Sequence, residues 1–318
     1  MRSRVFAVAL IVSAITLVTA GCSAPDRSAE AAELESALRG VPGVGSADVS
    51  YVNGFDSGYT VSIDVGMSGA DDAQVVAMVH RMNTLMGHDF DDYATPVSID
   101  LGAGVRVESE KQLTPENAAT VLATARSAQR RVTADHVTVF LRSGRIDVEI
   151  MGATDPVDAA GAVAGAMAAA IGPARGSIVA SPKARAAQPR WTVTTPVAAA
   201  RLRQLEGRIR ALTILVTSVA VDGGLITELA IDAGTQEVAD ANVRGVIASL
   251  GADRAHPVRL SWSVSPAVAT WERDADGVVS VGSCDYPRTY GRHADTDFEK
   301  AAADLEQRIR ADYDTCRR

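Results

Sequence analysis

Two short acidic runs are the places in this chain where side-chain chemistry could be concentrated. His88-Asp89-Phe90-Asp91-Asp92 sets carboxylates beside an imidazole, and Asp274-Ala275-Asp276-Gly277 has the first half of a calcium-loop pattern. Hard divalent cations take several carboxylate oxygens, which gives both runs a chemical meaning. Neither carries it through. The second lacks the downstream bidentate Glu and reads as a hairpin turn, while the first reads as a solvated loop between a helix and a strand. His80, His88, His136, His256 and His293 are scattered without ligand spacing. No HExxH, CxxC, phosphate-loop, GxSxG or SxxK pattern occurs. Gly43-Val44-Gly45 lacks a third glycine and precedes a strand, the wrong side for a dinucleotide. The expectation is no catalytic residue, no metal site and no cofactor.

The cysteines are more informative. Met1-Arg-Ser-Arg4 is basic, Val5 to Val18 is apolar, and small residues lead to Gly21-Cys22. A basic start, an apolar core and a small-residue exit describe a secretory signal. The apolar run spans only ~21 Å as a helix, too short for a ~30 Å hydrocarbon core. Val18-Thr19-Ala20-Gly21-Cys22 resembles the lipobox of bacterial lipoproteins. That resemblance implies a cleaved signal peptide over 1–21, a diacylated Cys22, and attachment to the outer side of the cell membrane through the lipid. Arg far outnumbers Lys, which stands only at 111, 183 and 300. This bias, typical of GC-rich coding, makes the chain similar to lipoproteins of the actinobacterial type. In an exported, oxidising setting, Cys284 and Cys316 are expected to form one disulfide. A loop of about 33 residues closed this way stabilises by roughly 3–4 kcal/mol.

Charge excludes one class of partner. The chain carries 31 basic and 39 acidic residues, and the leader would remove Arg2 and Arg4. Phosphate repulsion then opposes nucleic-acid binding. Adhesion to anionic lipid through basic residues is likewise excluded, so the acyl chains must anchor the protein.

The positioning elements repeat. Leu113-Thr-Pro-Glu-Asn-Ala-Ala119 recurs loosely as Thr194-Thr-Pro-Val-Ala-Ala-Ala200. In both, Thr is placed to cap a helix and Pro to enter its first turn. Each helix leads into two alternating strands, 137–141 with 145–150 and 214–219 with 225–231. A second helix follows, opened by Asp155-Pro156 or by Thr235, and then a further strand. With Val105-Arg-Val107 and Trp191-Thr-Val193 as opening strands, these units read βαββαβ. The order resembles the ferredoxin-like sandwich, and the first unit, αββαβ, resembles small envelope modules of the BON type. The expected fold is therefore α+β, with tandem ferredoxin-like units whose antiparallel sheets are covered by helices, plus a C-terminal helix. The expected boundaries are a lipid-proximal tether over 22–33, units over 34–103, 104–183 and 189–265, and an appendage over 266–318. Ser68 with Asp71, and Thr296 with Glu299, resemble capping boxes. The basic stretch from Arg175 through Lys183 and Arg185 to Arg190 reads as a linker between units, or as a contact to anionic wall polymer.

These features point to a lipid-anchored, non-catalytic envelope protein, a binding or assembly module whose partner is another envelope protein or the wall. A hydrolase with carboxylates gathered only by folding, and a carrier with an apolar cavity, are the alternatives. A sheet covered by helices on one side leaves its other face solvated, packed on a neighbouring unit, or bound to a partner, and the last is the case that would give a site. The candidate partner-binding residues are therefore the outward-facing Thr60, Ser62 and Asp64, with Asp147, Glu149 and Thr227 or Glu228 as counterparts.

Overall fold

The computed structural model describes residues 26–54, 58–173, 175–184, 188–264, 275–284 and 296–315. Among them the strands are β1 (Ser46–Gly54), β2 (Gly58–Gly66), β3 (Val97–Gly102), β4 (Val105–Ser109), β5 (His136–Arg142), β6 (Arg145–Ala153), β7 (Ser177–Pro182), β8 (Arg190–Thr194), β9 (Leu215–Asp222), β10 (Leu225–Asp232), β11 (Val258–Ser263) and β12 (Gly277–Val281). The helices are α1 (Ser28–Arg39), α2 (Asp72–Met86), α3 (Pro115–Arg131), α4 (Pro156–Ile171), α5 (Ala199–Arg210), α6 (Gln236–Leu250) and α7 (Asp297–Tyr313).

The strands form one mixed sheet in which every strand lies beside its neighbour in sequence, from β1 to β12. Pairs alternate: β1–β2 is antiparallel, β2–β3 parallel, β3–β4 antiparallel, and so on to the antiparallel β11–β12. This corrects the expected architecture. A ferredoxin-like unit splits its βαβ, placing another strand between the two that a helix connects. Here the connected strands are adjacent, and the sheet is mixed, not antiparallel. Element order was right because βαββαβ is compatible with either arrangement. Pairing also continues across the expected boundaries. β3 and β4 meet at Gly102-Ala103-Gly104, where Ala103 and both glycines have positive φ. The basic stretch from Arg175 to Arg190 contains β7 and runs up to the start of β8, its antiparallel neighbour, so its described residues belong to the sheet and do not form a linker between units.

Strand alternation explains the layers. Val61, Ile63 and Val65 on β2, Val97 and Ile99 on β3, Val137 and Val139 on β5, and Val148 and Ile150 on β6 are all buried on one side. All the helices lie over that side: neighbours from α1 to α5 pack on each other, as do α6 and α7. Arg208 of α5 donates to the Leu250 carbonyl at the end of α6 (2.8 Å). The central α4 is rich in Ala and Gly because it is flanked on both sides. Ala159, Ala160, Gly161, Val163 and Ala164 are all buried, and a Cβ on Gly161 would come within 3.0 Å of the Ala199 Cβ.

Helices begin at residues 28, 72, 115, 156, 199 and 236, so the repeating unit is αββ, at intervals of about 40 residues. Strands that enter successive crossovers point alternately up and down, while the chain always steps to the same side. With every helix on one face, consecutive crossovers must alternate in hand, against the usual right-handed preference. Equivalent geometry returns only after two αββ units. This is why residue similarity joins α3 to α5, not α3 to α4.

Caps set the helix starts, with two corrections. Asp71 accepts from Gln74 N (2.8 Å) and Gln74 Oε1 from Asp71 N (2.9 Å), so the box at α2 is Asp71–Gln74, not Ser68–Asp71. Thr114 caps α3 and Thr296 with Glu299 boxes α7 as expected. Thr195 does not cap α5. It is buried, and its Oγ1 accepts from Gly176 N (2.9 Å), which moves the helix start to Ala199. Val238 on α6, at helical spacing from the buried Val246, is 45% exposed although apolar. α1 begins at Ser28 and buries Ala31, so the tether's second half is folded structure. Residues 266–274 of the expected appendage lie outside the described residues.

Among the described residues, the outermost strands β1 and β12 each meet the same device. On β1, Glu35 of α1 accepts from Val49 N (3.1 Å) while Arg39 Nε donates to Ala47 O (3.2 Å). On β12, Glu306 of α7 accepts from Val278 N (3.3 Å) while Arg310 Nε donates to Val278 O (2.9 Å). In each helix the two side chains are four residues apart and ion-paired. They occupy the N–H and C=O that another strand would use, which is how an exposed edge is kept from pairing.

Candidate functional site

Among the described residues, the face of the sheet away from the helices has no covering layer over β2–β8, and its side chains are mostly polar. Thr60 and Ser62 are half-buried there and Asp64 is exposed. Cross-strand register carries Asp64 to Ser98, Ser98 to Glu108, Glu108 to Phe140, Phe140 to Asp147 and Asp147 to Ser177. The next row runs from Asp100 through Arg106 and Thr138 to Glu149 and Val179. Further along, a register shift between Ile226 and Glu228 leaves two residues between inward-facing positions. Thr227 then donates to Ala220 O (3.4 Å), while Glu228 pairs with Arg259 (3.1 Å). Glu228 is therefore the charged outward residue of that pair.

Two hollows lie side by side on this face. One, about 320 Å³, is lined by Ser62, Asp64, Pro96, Ser98, Arg106, Glu108, Glu110, Phe140 and Arg142. The other, about 280 Å³, is lined by Phe140, Arg142, Asp147, Glu149, Ser177, Val179 and Arg190. Phe140 and Arg142 form the ridge between them. The Arg142 guanidinium lies 4.2 Å from the Phe140 ring centroid and 3.4 Å from Glu110, a cation–π stack that fixes both side chains. Asp147 is held by Ser177 N (2.8 Å) and lies 3.4 Å from Arg145. Arg190 Nε is buried without a hydrogen-bond partner. A lone buried donor costs about 1–3 kcal/mol, and an acceptor placed in the second hollow would relieve it.

The sequence located Thr60, Ser62, Asp64, Asp147 and Glu149 but missed the Phe140–Arg142 ridge. The signal was present: in His136-Val-Thr-Val-Phe-Leu-Arg142 the valines face inward, which sets Phe140 and Arg142 outward. An aromatic at an outward position is the anomaly that marks the place.

The other candidates lie elsewhere. Cys22 and Cys316 are outside the described residues. Cys284 is exposed just beyond β12. In the first acidic run, His88 Nδ1 is 2.9 Å from Asp91, and Asp89 lies 3.3 Å from Arg27. In the second, Asp276 is buried, with its carboxylate accepting from Val264 N (2.7 Å) and its own N–H bonded to Trp262 O (2.7 Å). It closes the connection between β11 and β12. Among the described residues, no three His, Cys, Asp or Glu side chains gather as a cation site, and no helix is long and apolar enough to cross a membrane.

A second polar cluster joins α1 to the sheet. Arg27 N donates to the Tyr51 hydroxyl (2.8 Å), which is 3.1 Å from the Tyr93 hydroxyl, and Tyr59 and Phe90 pack edge-on to Tyr93. Burial, aided by the Tyr51 hydroxyl, pushes the Tyr93 phenol up to about 12. The folded state thus favours the neutral phenol, and stability is lost as pH climbs above the ordinary tyrosine value of 10.0. Ultraviolet titration should show one tyrosine ionising late, with unfolding free energy falling between pH 10 and 12. Co-ionisation of every tyrosine near 10 would contradict this.

The fold and this face define a two-layer mixed α/β array, with helices on one side and a polar sheet surface on the other. Comparison of the chain with protein families, with characterised proteins and with solved structures finds no match.

Proposed function

We propose that the protein is a lipid-anchored, non-catalytic module of the cell envelope that binds a polar envelope partner on the open face of its sheet. The observation that carries this reading is the pair of hollows on either side of Phe140 and Arg142. They combine a fixed aromatic, charges of both signs and an unsatisfied guanidinium donor. Anchorage rests on the lipobox-like run ending at Cys22. A carrier would call for an apolar enclosure, and these hollows mix charged and hydroxyl groups with Phe140 and aliphatic side chains. A carboxylate hydrolase would place its raised acid in a cleft. The carboxylate whose pKa is raised, by burial, is Glu206 on α5, paired with Arg210 and remote from the hollows. Because both sheet edges are capped, docking by strand addition is disfavoured and contact through side chains is favoured.

Two tests follow. Crosslinked membranes should yield a partner with wild-type protein but not with Phe140→Ala/Arg142→Glu, nor with Lys at positions 60, 62 and 64. Thermal unfolding should stay nearly unchanged for the exposed Asp64→Lys, since exposed substitutions usually cost within ±0.5 kcal/mol, and it checks that the half-buried positions 60 and 62 accept Lys in a folded protein. Undiminished recovery in folded variants of both kinds defeats the face as the site. Separately, Cys22→Ala should leave the membrane fraction or remain unprocessed, because stable anchoring needs the two acyl chains. A correctly cleaved mutant still in the membrane fraction overturns the lipid anchor.

A further inference from the structure

We infer that one corner of the body, built by the start of α1, Tyr51 and the loop through Asp89–Asp92, is held against the headgroups of the bilayer, which is its partner surface. The inference rests on Cys22 as the lipidated residue and goes beyond it by fixing which part of the protein the membrane covers.

The length of chain before α1 carries the argument. Arg27 is pinned, its N–H on the Tyr51 hydroxyl (2.8 Å) and its guanidinium 3.3 Å from Asp89. α1 cannot peel away without exposing Ala31, Leu34 and Leu38, all buried. The free leash is thus Cys22 to Arg27, which spans at most ~18 Å when extended. A compact chain of this size has a radius of gyration of about 19 Å. The leash is shorter than the radius of the body it holds, so the body cannot turn another side to the lipid. The corner stays at the surface, and the opposite edge at β12 is carried away from it.

Charge sets how closely the corner sits. Glu30 and Asp89 pair there with the Arg27 guanidinium, Asp26 precedes it in the chain, Asp91 lies 2.9 Å from His88 Nδ1, and Asp92 is exposed beside Asp91. Anionic headgroups repel such a corner, and salt shortens the reach of that repulsion to a Debye length of about 8 Å at physiological strength. The contact is therefore closest on zwitterionic lipid and, on anionic lipid, tightens as salt is added.

The test uses the full-length lipidated protein in phosphatidylcholine vesicles, with Asp92→Cys or Gln236→Cys as reporter and a bulky polyethylene-glycol maleimide as probe. Both positions are exposed, Gln236 on α6 at the far end of the sheet. Modification of D92C should be several-fold slower on vesicles than in the unlipidated Cys22→Ala protein, while Q236C reacts equally in both. A Gly/Ser insertion of about 20 residues after Ser23, with an r.m.s. span of about 25 Å, should restore fast modification of D92C. Phosphatidylglycerol at low salt should speed it partway, and added salt should slow it again. Equal rates for D92C in bound and soluble protein overturn the inference while leaving the anchor intact. Failure of the protein to attach to vesicles at all, read by flotation, overturns the anchor and the inference together.

Discussion

Glu306→Ala is expected to destabilise the protein by about 3 kcal/mol, read as a lowered denaturant midpoint with an unchanged slope. Its side chain is 11% exposed and satisfies both Val278 N–H and the Arg310 guanidinium. Truncation leaves a backbone donor without its acceptor and removes the carboxylate that faces the half-buried Arg310 guanidinium. The first loss costs about 1–3 kcal/mol, and breaking a buried pair reaches 3–5 kcal/mol. Glu306→Gln keeps an acceptor and should cost about 1 kcal/mol. Glu35→Ala, the counterpart on β1, should cost no more than about 1 kcal/mol, because its partner Arg39 is 57% exposed and water can replace the pair. The truncated β12 edge should also self-associate, visible as concentration-dependent sedimentation. A Glu306→Ala protein that melts like wild type and stays monomeric removes the edge-capping role.

Loss of the proposed Cys284–Cys316 bridge should have a comparable effect. Thr315 N donates to Ser283 O (3.2 Å) and Gly282 N to Tyr313 O (3.4 Å), so the chain leaving α7 runs back along the end of β12. Ser283 and Thr315, one such hydrogen-bonded pair, immediately precede Cys284 and Cys316 in the sequence. Cys284→Ser, or reduction of the intact protein, should lower stability by roughly 3–4 kcal/mol for a loop of about 33 residues. The double variant should match either single one, since both remove the same bond. Alkylation of both thiols in unreduced protein from the envelope would remove the bridge from the account.

Much of the local structure could be read from residue patterns, and the reasons are physical. Tyr59-Thr-Val-Ser-Ile-Asp-Val65 alternates with period two because β2 has one face under helices and one in water. Thr114-Pro115 and Thr296 with Glu299 start helices because capping chemistry is local. Strand adjacency is not local. Nothing in a βαββαβ order states whether connected strands touch, and a familiar sandwich was the wrong extension. Thr195 shows the same limit, since its hydroxyl serves Gly176 across the sheet instead of its own helix. Glu35 with Arg39 and Glu306 with Arg310 look in sequence like ordinary helix ion pairs; only the neighbouring strand gives them a further role. The hollows beside Phe140 depend on residues from β2 to β8, and only the register brings these into line.

The sequential order of the strands also gives the molecule a direction of assembly. Every strand pairs with its immediate neighbours in the chain, so contacts are local for so large a sheet, and local contacts favour fast folding. As in other quasi-one-dimensional arrays, the structure can extend from any nucleus one unit at a time. For a chain that emerges from a translocation channel with its N-terminus first, each new hairpin meets a template strand already in place. The unpaired growing edge is never more than one strand wide, and α7, the last helix to arrive, seals it with Glu306 and Arg310.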